Sequence, residues 1–186
     1  MTRYEIDVSQ SEVRVQASSS LHAITGHAEG LRGWIDLEGA TVTGARIELD
    51  AERLAWGNPV LDRETRRRID ADRHPTIVGT MTAADGNANG SAEPTPSPRW
   101  NAQPPLRSLS VPTRVRGTIA FHGVEREVSG SVVVTTADPD ELVLEGEQTF
   151  DVRDWGLEPP RLLMLKVNPD ILVAIRVRAV SERAIR

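Results

Sequence analysis

Hydrophobic and polar residues alternate with a period of two over most of the chain, and helical periodicity is rare. Glu12–Ser18 sets Val13, Val15 and Ala17 against Glu12, Arg14, Gln16 and Ser18. Ala28–Leu37 carries Leu31, Ile35 and Leu37 on one parity and Arg32 and Asp36 on the other. Thr43–Ala51 and Thr76–Thr82 repeat the pattern, as do the stretches Val115–His122, Val128–Val134, Leu142–Phe150 and Ile171–Val177. Successive side chains of a strand point to opposite faces, so this pattern predicts an antiparallel sheet with one buried face. With the opening Tyr4–Val8 included, about eight strands are expected.

The connections favour antiparallel neighbours. Phe121-His122-Gly123-Val124 reads as a tight hairpin, because His and Gly tolerate the positive φ of a primed turn. Thr135–Asp140 reads as a second turn, with Pro139 unable to continue a ladder. Strands joined in this way can close on themselves and so abolish exposed edges. The expected fold is all-β, an extended eight-stranded antiparallel barrel, with a two-sheet sandwich as the alternative. One helix is legible: Asn58 can cap it, Pro59 suits its first position, and Asp62 and Glu64 sit where the dipole favours acid. Leu61, Thr65 and Ile69 share one face of that helix, Arg66-Arg67-Arg68 follow, and His74-Pro75 is expected to end it. A second helical turn is expected over Pro159–Leu165. Residues 85–106, rich in Pro, Ser and Asn, read as a long mobile loop between two strands of a single 1–186 domain.

Composition narrows the function. At 186 residues the chain is one ordinary domain, able to bury a core without staples. Zero cysteines exclude disulfides, iron–sulfur ligation and thiol nucleophiles. A net charge of −5, from 22 basic and 27 acidic residues, argues against nucleic acid or an anionic membrane as the main partner. No apolar run approaches the roughly 20 residues of a membrane span, and the start lacks an apolar signal region, so a cytoplasmic location is expected.

Catalytic signatures are missing: there is no phosphate loop, nucleophile elbow, H-E-x-x-H or dinucleotide-binding glycine motif. Asp154-Trp155-Gly156 resembles a kinase metal-binding triplet, but no H-R-D accompanies it. His22, His27 and Glu29 have the chemistry for three metal ligands; ordinary turn and surface residues are the simpler reading. Arg66–Arg68 can meet an anionic head group or merely complement the helix dipole. Lys166, the sole lysine, reads as a strand residue with its amine in water. Gln148 is the one clear polar residue on the apolar parities.

The more informative feature is apolar and distributed. Gly33, Gly79, Gly117, Gly130 and Gly146 share the parity of the large apolar side chains in their strands. Either they empty the middle of a barrel just wide enough for one small ligand, or they are kinks that let the sheet coil. A hollow of that kind needs no charged anchor, since a ~15-carbon tail offers about 12 kcal/mol of gross hydrophobic transfer. The residues expected to line it are Leu31, Ile35, Ile47, Ile77, Met81, Ile119, Phe121, Val132, Leu144, Phe150 and Ile175. Trp34, on the opposite parity, and Trp56, near the helix start, are expected at the rim or cover.

Several segments carry a resemblance to a known family. Tyr4-x-Ile6-Asp7-x-x-x-Ser11-x-Val13, Leu21-His22 to Gly26 and Gly30 to Trp34 resemble the opening of the YceI-like family. Arg73-His74-Pro75-x-Ile77, the Val115–Val124 hairpin, Phe150–Gly156 and the closing Val167–Val177 are similar to its later segments, in the same order. The resemblance implies a lipocalin-like barrel with a covering helix that binds polyisoprenoid-type lipids inside, without known catalysis. The chain departs from the family in having Arg66-Arg67-Arg68-Ile69-Asp70 where an aromatic run is usual and in its longer 85–106 loop, and it is expected to lack the secretion signal that many relatives carry. The expected function is therefore a non-enzymatic protein without cofactor or metal, holding an isoprenoid, quinone-like or other long-chain lipid. The alternative is a filled barrel with a stress or protein-interaction role. Nucleic acid is not an expected partner, and a homodimer stays open.

Overall fold

The computed structural model describes residues 1–19, 23–85, 109–159, 161–162 and 165–183. Twelve strands and one helix follow in order: β1 (Thr2–Ile6), β2 (Glu12–Ser19), β3 (Ala23–Ala28), β4 (Arg32–Glu38), β5 (Thr41–Asp50), β6 (Leu54–Ala55), α1 (Pro59–Arg68), β7 (Thr76–Asp85), β8 (Leu109–Phe121), β9 (Val124–Asp138), β10 (Glu141–Asp151), β11 (Arg161–Leu162) and β12 (Leu165–Ser181). Eight of them, β1–β4–β5–β7–β8–β9–β10–β12, form a ring that closes where Tyr4, Glu5 and Ile6 pair with Ser181, Val180 and Ala179. Every pairing is antiparallel. The expected lipocalin-like barrel is the observed one, and the sandwich is not.

The 17-residue β12 serves two partners on one side. Its Val167–Arg176 stretch pairs with β2 and its end pairs with β1, so β1 and β2 lie head to tail along it. A 3-10 turn at Val8–Gln10 joins the two, capped by Asp7, whose Oδ1 accepts from the Ser9 amide at 3.0 Å. From β2 the sheet branches to β3 and β6, outside the ring.

The hairpin at 121–124 forms as expected, with His122 at φ 51° and Gly123 at φ 72°. The helix starts as its cap dictates: Asn58 Oδ1 accepts from Val60 N at 3.0 Å and Leu61 N at 3.3 Å. It ends earlier than His74, because Asp70 takes a positive φ of 49° just after the Ile69 cap. Four further expectations need correction, the first being the Thr135–Asp140 turn, which is confined to Pro139 and Asp140 because β9 runs on to Asp138. The opening strand stops at Ile6, and Val8 lies exposed in the 3-10 turn. Ala28–Leu37 is not one strand: the chain turns at Gly30 (φ 84°) between β3 and β4. Within the stretch expected as a second helical turn, Arg161 and Leu162 are extended and pair with Lys166 and Leu165, the ladder overriding the local helix signal of the proline pair. Apart from Asp85, the 85–106 stretch lies outside the described residues, as do Leu21, His22 and the Lys166 side chain.

The barrel interior is packed in one half. Leu31, Ile35, Leu142 and Val177 are fully buried there, in one cluster with Tyr4 and Val42. A second, smaller cluster of Ala51, Ile69, Ala71 and Leu157 ties the end of α1 to the barrel rim.

Candidate ligand-binding site

The other half of the barrel is a cup. A cavity of about 240 Å³ lies between α1 and the inner wall, with almost entirely apolar surroundings. From α1 it is faced by Leu61, Thr65 and Arg68, and Ile69 follows at the helix cap; these positions recur at helical spacing, as the sequence predicted for Leu61, Thr65 and Ile69. Opposite stand Ile77 of β7, Ile119 and Phe121 of β8 and Phe150 of β10.

One wall is aromatic and firmly held. Trp155 is buried, with its ring 5.9 Å from Phe150 and 6.4 Å from Phe121. Its Nε1–H donates to the Ile119 carbonyl at 3.2 Å, and His122 Nδ1 lies 3.2 Å from the Trp155 carbonyl oxygen. Arg126 Nε donates to the Asp154 carbonyl at 2.7 Å, and Gly156 (φ 71°) closes the 3-10 turn that carries Trp155. Three contacts from β8 and β10 thus hold this side chain, and two more hydrogen bonds hold the backbone of its turn, before any ligand arrives.

Trp56 forms a second wall. Its backbone N–H donates to Asp62 Oδ1 at 2.6 Å, anchoring the helix to the strand before it. Its indole lies over Gly26, where a Cβ would fall 2.8 Å from Cε3. Gly26 therefore makes room for the indole. Trp34 lies elsewhere, under the Arg3 guanidinium at 4.2 Å.

Of the eleven residues expected to line a hollow, Ile77, Ile119, Phe121 and Phe150 border the cavity. Leu31, Ile35 and Leu144 belong to the packed half, and Ile47, Met81, Val132 and Ile175 lie half-buried against it. Gln148 is exposed and not part of the cavity wall. Sequence reasoning missed Trp155, Leu157, Val13, Val15 and Leu49 as wall residues. Val13, Val15 and Leu49 carried the right parity, whereas Trp155 sits in a turn that parity does not reach.

The five glycines divide. A Cβ on Gly33, whose φ is 131°, would collide with the Arg46 carbonyl oxygen, and one on Gly117 with that of Thr80. These two are places where neighbouring backbones close in, and they shape the barrel. At Gly79 the nearest atom to an added Cβ is Ile47 O at 3.9 Å, so this position leaves space.

Charge is confined to the rim. Glu64 accepts from Arg67 Nη2 at 2.8 Å and from Arg68 Nε at 2.7 Å, and these bonds, Arg67 first, hold its carboxyl below the ordinary glutamate value. Among the described residues, no three His, Asp or Glu side chains converge as metal ligands; His27 and Glu29 border a separate polar cleft. No helix among the described residues is long and apolar enough to cross a membrane.

These features define a lipocalin-like barrel with a covering helix and an apolar cup beneath it. The chain belongs to the YceI-like family, whose domain model matches residues 4–179. Its fold is similar to that of BcnA from Burkholderia cenocepacia, with a TM-score of 0.73 at 12% identity, over 94% of this chain and 99% of that one. It is also similar to a polyisoprenoid-binding domain from Saccharophagus degradans implicated in plant cell wall breakdown (TM-score 0.71, 13% identity, 97% and 99% covered). A YceI protein of Campylobacter jejuni gives a TM-score of 0.62 at 13% identity, with 86% and 85% covered. No curated protein matches the chain.

Proposed function

We propose that this protein is a non-enzymatic carrier that holds the hydrocarbon part of an isoprenoid, quinone-like or fatty ligand in the cup beneath α1. The observation that carries the reading is the 240 Å³ cavity with apolar walls, preformed and braced by Trp155. An apolar void of this size gains by exchanging water for hydrocarbon, and such sites tend to be formed before the ligand binds. The polyisoprenoid-binding relative supports the same class of ligand.

Native mass spectrometry of protein freshly isolated from its own host, followed by lipid extraction, tests it. A bound mass released as an apolar-tailed molecule is expected. Protein that is consistently empty overturns the reading and favours a filled barrel acting through its surface, which the solid packing around Leu31, Ile35, Leu142 and Val177 would suit.

A further inference from the structure

We propose that the cup is built for a medium chain, of about ten carbons, whose polar end is a carboxylate seated on Arg68; the inference rests on the carrier reading above. Two independent observations carry it, one on depth and one on the rim.

Depth is limited by the packed half. Ile35, Leu142 and Val177 are fully buried in the other half of the same barrel, so the hollow does not run along its whole axis. An apolar void of about 150 Å³ accommodates benzene. By that measure the 240 Å³ here takes about ten carbons. A longer tail leaves its remainder in water, where additional methylenes gain nothing.

The rim supplies the head-group chemistry. Arg68 borders the cavity, its side chain one-third exposed. Its Nε is committed to Glu64 and its Nη1 lies 3.5 Å from the Glu158 carbonyl oxygen, while its Nη2 makes no bond among the described residues. Thr65 borders the cavity one helical turn earlier. A carboxylate placed there accepts charge-assisted hydrogen bonds from the guanidinium, the stronger kind. Arg67 and Arg68 share the single carboxylate of Glu64, which leaves one net positive charge among these three side chains. That balance suits one negative charge better than the several of a diphosphate.

The test is titration of the whole protein at neutral pH with hexanoate, octanoate, decanoate, dodecanoate and hexadecanoate, and with decanol and geranyl diphosphate. Tryptophan fluorescence serves as the readout, because Trp56 and Trp155 stand in the wall. Affinity is expected to rise roughly fourfold per methylene and level off near ten carbons. Decanol and geranyl diphosphate are expected roughly tenfold weaker than decanoate. Arg68→Leu should erase the preference of decanoate over decanol, Arg68→Lys should keep it, and Arg63→Gln, on the exposed face, should not alter it. Affinity that keeps rising through hexadecanoate overturns the depth limit. Equal binding of decanoate and decanol, tighter binding of geranyl diphosphate, or an unchanged preference in Arg68→Leu overturns the head-group assignment. Binding by none of the probes overturns the medium-chain carboxylate assignment, while a bound lipid in the host-isolated protein would still support the carrier reading, so the two failures are told apart.

Discussion

Arg3 and Asp36 face each other across β1 and β4, joined by two parallel hydrogen bonds, Nε to Oδ1 and Nη2 to Oδ2, each 2.8 Å. The pair lies beside the closing seam of the barrel, and the Asp36 side chain is only 8% exposed. Its hydrogen bond with Arg3 holds the Asp36 carboxyl below the ordinary aspartate value, against the opposing effect of burial. A carboxyl lowered on folding contributes stability above its unfolded pKa of about 3.9 and loses it as pH falls through the folded value. Asp36→Asn should therefore lower Tm at pH 7, and its deficit relative to wild type should shrink as pH drops below about 4. Thermal melts from pH 7 to pH 2.5 check this; a deficit that stays constant with pH contradicts it.

Gly117 and Gly79 should respond oppositely to the same change. Gly117→Ala forces a methyl group into the Thr80 carbonyl and is expected to cost about 1–3 kcal/mol. Gly79→Ala meets only ordinary contact and is expected to be neutral or stabilising by up to about 1 kcal/mol. Urea unfolding of the two variants gives both numbers.

The two halves of the barrel should separate stability from retention. Leu31→Ala removes a fully buried side chain from the packed half and should cost about 2–5 kcal/mol while leaving co-purified lipid in place. Phe150→Arg sets a charge in the cup against Trp155 and should abolish lipid retention. Lipid extraction of both variants, alongside denaturant melts, distinguishes the roles.

Asn58→Ala removes the side-chain acceptor for two amides at the start of α1 and should destabilise the fold by about 1 kcal/mol. Hydrogen exchange should show the loss first in the opening turn of the helix.

Much of this fold was legible because parity carries it. Ile77, Ile119, Phe121 and Phe150 reach the cup along strands whose alternation is plain, and Asn58-Pro59 marks the helix start without ambiguity. β3 escaped because its inward residues beyond Ile24 are Gly26 and Ala28, too small to register as a hydrophobic face. The split between cup and packed half was not readable either. Leu31, Ile35 and Leu144 have the same parity as the cup residues, and only their position along the barrel axis separates them. The aromatic wall depends on the Val152–Trp155 turn, where a buried side chain is fixed by one hydrogen bond and two ring contacts to other segments and not by any period.

The place of β12 bears on how such a molecule is made. Its end supplies the final pairing for β1, joining residues about 175 positions apart in sequence, Tyr4–Ile6 with Ala179–Ser181, and its earlier stretch carries β2. During synthesis the ring cannot close until this segment has emerged, so β1 and β2, covered on one side by β4 and β3, each keep an unpaired edge until then. Contacts so distant in sequence are slow to form, which makes closure of the seam the natural bottleneck of folding and the stage most exposed to aggregation.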